Sequence, residues 1–456
     1  MIVSIRVAKF GGTSLKDAHR IQQAAKVVQD TESNLVVVSA MSGVTNSLHS
    51  LANRAISDSL ESCIREMENI GQRHILIASD LHCDFNQEEQ IKELVDEAKI
   101  LITGMNLLGE VSLRSKDRLL SIGERLSSIL ILAALLKNGT DAIKVEACKV
   151  IKTDTAFGRA EPHLDEIKAC AEKYMIPSLA SGKVVVTQGF IGATTEGTPT
   201  TLGRGGSDYS AALLAEALGA EQLGIWTDVP GILRTDPRVI AESQVVPEIT
   251  FDEAAELATF GAKVLHPATL CPAIRCNIPV FVGSTMQPER GGTWIRSEVE
   301  EYPVIRGIAV RREQILLTAK SFKMFHAHGF LANFFSVLAN HRISVDLVTT
   351  SEVSVAITIN NPASLTGDVI HELNQIAQIE IEEDLALVAL VGNKMTSTPG
   401  IAEKVLSIIR DYNIRFMCHG ASDRNFCFLV YEKELQKIVK QLNEQFLEIS
   451  QKIGAK

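Results

Sequence analysis

The sequence predicts an α/β fold, a mainly parallel sheet sandwiched by helices, followed by two α+β modules of βαββαβ type. Three observations carry this. Across residues 3–283, short apolar runs rich in β-branched residues alternate with helical patterns, and the runs end at glycines or small polar residues. Continuously apolar runs fit strands covered on both faces, and strand–helix–strand alternation builds parallel sheets. Around Arg290-Gly291-Gly292-Thr293 the pattern changes to shorter strands with two clear helices. Beyond that point, residues 329–357 align with 400–428 at a constant offset of 71.

Taken in order, residues 3–10 form a first strand that stops at Gly11-Gly12 and leads into a helix over 14–29. A second strand follows at 35–39, then helices over 59–80, 87–109 and 122–137, and strands at 143–145, 184–189, 222–227 and 279–283. In the repeat, Gly329-Phe330-Leu331 matches Gly400-Ile401-Ala402, FSVLANHRI matches LSIIRDYNI, and Ser351-Glu352 matches Ser422-Asp423. Each copy reads as strand, glycine-led turn, helix, strand, turn and strand, a unit that can share a sheet or bury helices with its twin. The predicted boundaries are 1–295 for the first domain, 300–390 for the first module and 391–456 for the second, with strands open to exchange between modules.

A chain of 456 residues with 46% hydrophobic and 22% charged residues has the makeup of a globular protein. Its formal net charge of −10 argues against nucleic acid or an anionic membrane as partner, so an anionic ligand must meet a local basic site. The longest apolar run, 129–136, is far shorter than the roughly 20 residues of a membrane span. The N-terminal MIVSIRVAKFGG has neither basic leader nor cleavage site, and eight dispersed cysteines form no CxxC or zinc-finger spacing. These features point to a cytoplasmic protein with reduced thiols.

Four segments carry chemistry. In Lys9-Phe10-Gly11-Gly12-Thr13-Ser14, glycines after a strand let the backbone approach phosphate oxygens, and the lysine adds a positive charge. The segment fits neither general nucleotide motif, and an ordinary tight turn is the alternative. Gly203-Arg204-Gly205-Gly206-Ser207-Asp208 packs an arginine, a hydroxyl and a carboxylate among glycines at a helix start. A merely capped turn has little use for the arginine, which favours ligand binding. Thr227-Asp228-Val229-Pro230-Gly231, with Thr235-Asp236-Pro237-Arg238 after it, reads as a binding loop at a sheet's carboxyl edge. Phe260-Gly261-Ala262-Lys263-Val264 sets a second lysine beside a glycine.

In this order, and with SIGERLSS around Glu124, the segments resemble the aspartokinase branch of the amino-acid kinase family, along the whole chain. The stretch Ser321-Phe322-Lys323-Met324 through Leu331, with SVDLVTTSEVSVAITI, is similar to the effector segment of the lysine-sensitive aspartokinases, whose tandem modules are ACT domains. The resemblance implies transfer of the γ-phosphoryl group of ATP to the side-chain carboxylate of L-aspartate, giving 4-phospho-L-aspartate for lysine, threonine and methionine synthesis. Mg²⁺ would be held mainly through the nucleotide phosphates, with no metal site made by the protein.

By the same resemblance, Lys9, Asp208 and Lys263 are catalytic. ATP is contacted by Lys9, Gly11, Gly12, Thr227, Asp228, Leu233, Arg238, Lys263 and Val264. Ser39, Thr45, Glu124, Phe190, Arg204 and Ser207 contact aspartate. Leu233 stands where the family commonly has a tyrosine, and it offers adenine a packing face without a hydrogen bond. The chemistry agrees with these roles. A carboxylate with a pKa near ~3.9 is already ionised at neutral pH, so the reaction needs alignment and charge neutralisation, not a base. Lys9 is then the main transition-state stabiliser, and Asp208 orients Lys9 or the glycine loop. Arg204 suits the α-carboxylate bidentately and Glu124 the α-ammonium. On the residues alone, a surface salt bridge from Glu124 to Arg125 or Arg118 competes with that role.

The resemblance further implies L-lysine as an allosteric inhibitor bound at Met324, His326, Phe330, Leu331, Ser344, Val345, Asp346, Ser351 and Glu352, between ACT modules of two subunits. That makes the expected assembly a homodimer, with a tetramer as the next step up. The second module has Arg415 where Ser344 stands in the first, and Cys418-His419-Gly420 for Leu347-Val348-Thr349. Effector binding is therefore expected in the first module and pairing in the second. The competing class is an amino-acid-sensing binding protein with an inactive kinase-like domain, or an aspartokinase with another or no effector. Intact Lys9, Glu124, Arg204, Asp208 and Lys263 argue against an inactive domain.

Overall fold

The computed structural model describes residues 4–261, 270–299, 304–325 and 328–448. It forms two units. The first comprises residues up to 232, 247–251 and the described part of 264–299; the second comprises 233–246, the described part of 252–263, and residues from 304 onward.

In the first unit, β1 (Arg6–Phe10) passes through a 3-10 turn (Gly12–Leu15) into α1 (Ala18–Asp30), and β2 (Leu35–Val38) precedes α2 (Val44–Arg54). Three long helices follow, α3 (Leu60–Asp80), α4 (Phe85–Leu108) and α5 (Leu113–Lys137), then β3 (Ala142–Lys144). Short helices α6 (Ala147–Val150), α7 (Leu164–Tyr174) and α8 (Ile176–Ala180) lead to β4 (Val184–Gln188) and the hairpin β5 (Ile191–Ala193) and β6 (Pro199–Thr201). After them come α9 (Gly206–Leu218), β7 (Gln222–Thr227) and β8 (Glu248–Thr250), which runs into α10 (Phe251–Thr259), a helix of the second unit from residue 252. Then α11 (Cys271–Arg275), β9 (Val280–Ser284) and β10 (Gly292–Arg296) close the unit.

Eight strands lie in the order β3-β4-β2-β1-β7-β9-β10-β8, all neighbours parallel except β9 and β10. The chain moves outward from β1 on one side through β2 and on the other through β7. The carboxyl ends of these strands therefore flank a topological switch point, the usual place for a ligand crevice in an open α/β sheet. Helix α5 starts nine residues before the predicted 122, because Ser112 caps it by accepting the Ser115 N–H at 3.1 Å. Its charged first two turns conceal this in the sequence. Helix α5 is the one described helix long and apolar enough to cross a membrane, yet 83% of its apolar window is buried inside the protein. Gly123 is required where α5 meets the loop after β2, since a Cβ there would come within 2.8 Å of the Ala40 side chain.

The second unit contains β11 (Ile305–Lys320), α12 (Phe330–Asn340), β12 (Val348–Thr350), β13 (Ser354–Ile359), α13 (Gly367–Ile376) and β14 (Gln378–Gly392). It continues with α14 (Ile401–Ile408), β15 (Phe416–His419), β16 (Asn425–Tyr431) and α15 (Glu432–Asn443). One antiparallel sheet runs β12-β13-β11-β14-β16-β15. Gly329 and Gly400, equivalent in the repeat, both cap their helices with φ near +80° (82° and 78°), a conformation that favours glycine. The long strands β11 and β14 pair along their length, with the register slipping between Arg311 and Gln314. Beyond the slip β11 pairs with β13, whereas the far half of β14 pairs with β16. Each long strand thus serves both modules, and one module lies within the sequence of the other, with a separate apolar core under each half of the sheet.

A Cβ on Gly392 would sit 1.7 Å from the Val304 carbonyl oxygen, where β14 meets the start of β11. Gly392→Ala is expected to destabilise the protein by about 2 kcal/mol, read as a lower denaturant midpoint. An unchanged midpoint would mean the strands can part there without cost.

Candidate active site

Lys9 occupies the penultimate position of β1 and is 8% exposed. Its Nζ lies 2.6 Å from Oδ1 of Asp208 in the first turn of α9. The glycine loop makes this approach possible. Gly203 and Gly205 have φ of 77° and 73°, and a Cβ on Gly206 would press to 2.7 Å from the Phe190 ring. Phe190 itself adopts φ 67°, held by its N–H donating to Ser210 Oγ at 2.9 Å. A side chain on Gly189 would meet the Ser207 backbone at 2.9 Å, so β4 ends against the start of α9.

The loop after β2 closes the other side. Ser39 N–H donates to the Phe10 carbonyl at 3.1 Å and Ser42 N–H to the Gly12 carbonyl at 3.0 Å. Arg73 of α3 then donates to the Ser42 carbonyl (3.0 Å) and the Lys16 carbonyl (3.1 Å), tying the loops after β1 and β2 together. Arg73→Ala is expected to lower kcat/KM by about tenfold to a hundredfold with little change in melting temperature, since small misplacements of positioned groups have effects of that size. Arg73→Lys cannot span both carbonyls in the same fork and should recover only part of the loss. Wild-type kinetics in Arg73→Ala would remove the residue from the positioning scheme.

Together these elements enclose a cavity of about 790 Å³ lined by Lys9, Gly12, Ser39, Thr45, Glu124, Phe190, Arg204, Ser207 and Asp208. Asn46, His49, Lys116, Asp117 and Thr201 also line it, and the sequence reading missed them. Asp117 sits seven positions before Glu124 on the same face of α5, but ahead of the helix start that the sequence pattern gives, which hides the pairing. Its carboxylate accepts from Gly158 N (2.8 Å), Thr201 N (2.9 Å) and Thr201 Oγ1 (2.8 Å), a strut that fixes the β5–β6 hairpin. Burial raises the Asp117 pKa despite those bonds, and burial with nearby Lys116 lowers that of His49.

Glu124 is 2% exposed. Its Oε1 accepts the Ala40 N–H at 3.0 Å, while the buried Oε2 has no hydrogen-bond partner among the described residues. Burial pushes its carboxyl up to about 8, against the pull of the Ala40 N–H and Lys9. The competing surface salt bridge does not form: Arg118 and Arg125 both bind Glu97, at 3.0 and 2.8 Å. Arg204 is exposed and forms no ion pair among the described residues.

Among the residues expected to contact the nucleotide, Gly11 donates its N–H to the Trp226 carbonyl at 3.0 Å, which brings the end of β7 beside the glycine turn. Thr227 ends β7, and its hydroxyl donates to Asp228 at 3.1 Å; neither residue lines the cavity. Leu233 and Arg238 belong to the second unit. There Leu233 bridges to Val245, and the Arg238 guanidinium is held by Asp236 at 3.0 Å. Lys263, Val264 and His326 lie outside the described residues.

The remaining effector candidates lie on the elements around β12 and α12 of the second unit. Phe330 is buried at the first turn of α12, Leu331 beside it is exposed, and Met324 packs against the core of that module. Ser344, Val345 and Asp346 lie between α12 and β12, with the Asp346 carboxylate paired to Arg311 at 2.8 Å. Ser351 and exposed Glu352 form the turn from β12 to β13, where the Ser351 and Ser354 hydroxyls are 2.7 Å apart.

Residues 4–284 match the amino acid kinase family, and 388–446 match an ACT domain. The chain is 44% identical to the lysine-sensitive aspartokinase 3 of Escherichia coli K12, over 97% of this chain and 99% of that one. It superposes on the crystal structure of E. coli aspartokinase III in complex with aspartate and ADP (R-state) with a TM-score of 0.81. The same enzyme in complex with lysine and aspartate (T-state) gives 0.85; both are 43% identical and cover 97% of this chain and 99% of theirs. A glycine turn after the first strand, a buried lysine–aspartate pair and this similarity along nearly the whole length agree: the chain belongs to the amino acid kinase family, among its aspartokinases.

Proposed function

We propose that the chain transfers the γ-phosphoryl group of ATP to the side chain of L-aspartate, using Lys9 as the principal charge stabiliser, and that L-lysine inhibits it. The observation that carries this reading is the juxtaposition, in one cavity, of the Lys9–Asp208 pair with the buried Glu124 carboxylate. Asp208 holds the Lys9 ammonium towards the cavity, where it faces the transferring phosphoryl group and stabilises the charge spread over its oxygens. Glu124 takes the aspartate α-ammonium, and Arg204 its α-carboxylate. Thr45, Ser39, Ser207 and Phe190 shape the rest of the pocket. In the first unit the nucleotide is assigned to Gly11, Gly12, Thr227 and Asp228. Mg²⁺ rides mainly on the phosphates of ATP, hard oxygen donors of the kind it prefers, and supplies charge neutralisation there when bound.

Lysine binding is assigned to Met324, His326, Phe330, Leu331, Ser344, Val345, Asp346, Ser351 and Glu352. The E. coli relative crystallised with lysine and aspartate supports an effector of this kind. Arg311 holds Asp346 in place at 2.8 Å, so an incoming ammonium competes for a positioned carboxylate. Inhibition needs lysine to prefer the less active arrangement, since equal affinity for both shifts nothing. A homodimer through the ACT modules is supported by the exposed edge strand β12, flanked by exposed Phe322 and Val353. The kinase domain is assigned to 1–295; the two modules after it share β11 and β14, so the limits 300–390 and 391–456 hold only with strands exchanged between them, and the enzyme is assigned to the cytoplasm.

The test is ATP- and aspartate-dependent acyl phosphate formation, trapped as hydroxamate, with lysine and threonine added separately. Product formation inhibited by lysine is the expected result. Absence of product would overturn the catalytic assignment, and inhibition by threonine alone would overturn the effector.

A further inference from the structure

Helix α5 presents two faces to two cavities. Leu113, Lys116, Asp117, Leu120 and Glu124 line the active cavity. Arg114, Ser115, Arg118, Ser121 and Arg125, at the same three- and four-residue spacing, line a second one of about 840 Å³. Its remaining walls come from Glu97 on α4, Cys148 and Lys149 on α6, and Thr198 at the β5–β6 hairpin.

The charge inside this second cavity is unbalanced. Glu97 alone answers both Arg118 (3.0 Å) and Arg125 (2.8 Å). Glu146 is engaged by Lys144 at 3.1 Å. Arg114 reaches only a hydroxyl, Thr198 Oγ1 at 3.2 Å, and Lys149 has no ion pair among the described residues. Only Glu196, exposed in the hairpin turn, remains as counter-charge among the lining residues. Against a net charge of −10 for the chain, a pocket where guanidinium and ammonium groups outnumber carboxylates has a local cause. Guanidinium forks match the paired oxygens of phosphate and carboxylate, and a ligand with at least two negative charges would balance the surplus.

We propose that this cavity binds a small, multiply charged oxyanion, a phosphate or a polycarboxylate, and that its occupancy alters aspartate affinity. The path for the second effect is short. Arg114 holds Thr198 on one end of the β5–β6 hairpin, and Asp117, three residues along the same helix, holds Thr201 at the other. An anion drawing Arg114 inward pulls on the hairpin that walls the aspartate pocket. The coupling rests on the aspartokinase reading of the first cavity; the binding does not.

The experiment is isothermal titration calorimetry of the full chain with inorganic phosphate and, separately, citrate, with ADP and aspartate saturating. We expect saturable one-site binding of at least one anion, weakened at least tenfold in the Arg114→Ala/Lys149→Ala double variant. Both side chains are exposed, so that variant keeps its core and should melt as wild type does. Binding of phosphate alone assigns a phosphorylated ligand, and binding of citrate alone a polycarboxylate. Absence of saturable binding by either, or undiminished binding in the double variant, overturns the site. An aspartate KM indifferent to the bound anion overturns the coupling. A chain that bound the anion yet made no acyl phosphate would sink the catalytic reading and leave the site standing.

Discussion

Lys9→Ala should lower kcat by about three orders of magnitude, the upper range for loss of one preorganised group facing developing charge. The geometry makes the expectation specific. The ammonium is 8% exposed and held at 2.6 Å by Asp208, so it cannot be replaced by a mobile surface lysine or by water. Stability should also suffer, because the variant leaves the Asp208 carboxylate facing the cavity without its partner. Asp208→Asn separates the two effects. It keeps the lysine charge and loosens its position, so kcat should fall by about tenfold only, with the larger change in how steeply rate depends on ATP concentration. Hydroxamate assays on both variants, with melting curves alongside, decide the matter. A Lys9→Ala enzyme within tenfold of wild type would move the catalytic charge to another residue.

Much of this site was legible because its parts sit at chain positions where sequence and backbone speak together. Lys9 is the penultimate residue of a strand that runs into two glycines, and Asp208 lies in the first turn of a helix entered through three; strand ends and helix starts in an α/β sheet meet at the same edge. Other features depend on contacts that no local pattern encodes. Asp117 lies in the charged opening of α5, where an unrecognised Ser112 cap hid two helical turns. Arg73 acts through backbone carbonyls of residues 57 and 31 positions away, and a carbonyl carries no sequence signature. In sequence, Gly292 and its neighbours mimic a linker at the change of pattern, yet β10 pairs with both β9 and β8. The repeat at offset 71 was visible, but the sharing of β11 and β14 was left open. Strand exchange is a choice between nearly equal pairings, made by register and not by composition.

The second large effect concerns Glu124 and pH. Its carboxyl is raised from an ordinary 4.5 to about 8 by burial, so below pH 8 the empty site holds it protonated. An ammonium bound at the unpartnered Oε2 requires the ionised form. Aspartate binding at pH 7 should therefore release close to one proton, and affinity should rise about tenfold per pH unit up to about pH 8 before levelling. Calorimetry in two buffers of different ionisation enthalpy reads the proton directly; heats independent of buffer would defeat the assignment. Linkage fixes the sign for stability as well. A folded pKa above the unfolded one means that the unfolded chain loses its proton first. Stability is therefore lost as pH climbs from about 4.5 towards 8, and no further loss follows above that. Glu124→Gln keeps an oxygen for the Ala40 N–H and has no proton to lose. At pH 8 it should melt above wild type while its aspartate KM rises by about a hundredfold, the cost expected when one partner of a buried charge pair is removed. A variant that gained stability and kept its KM would show that Glu124 serves the fold of α5 against the Ala40 loop and never meets the substrate.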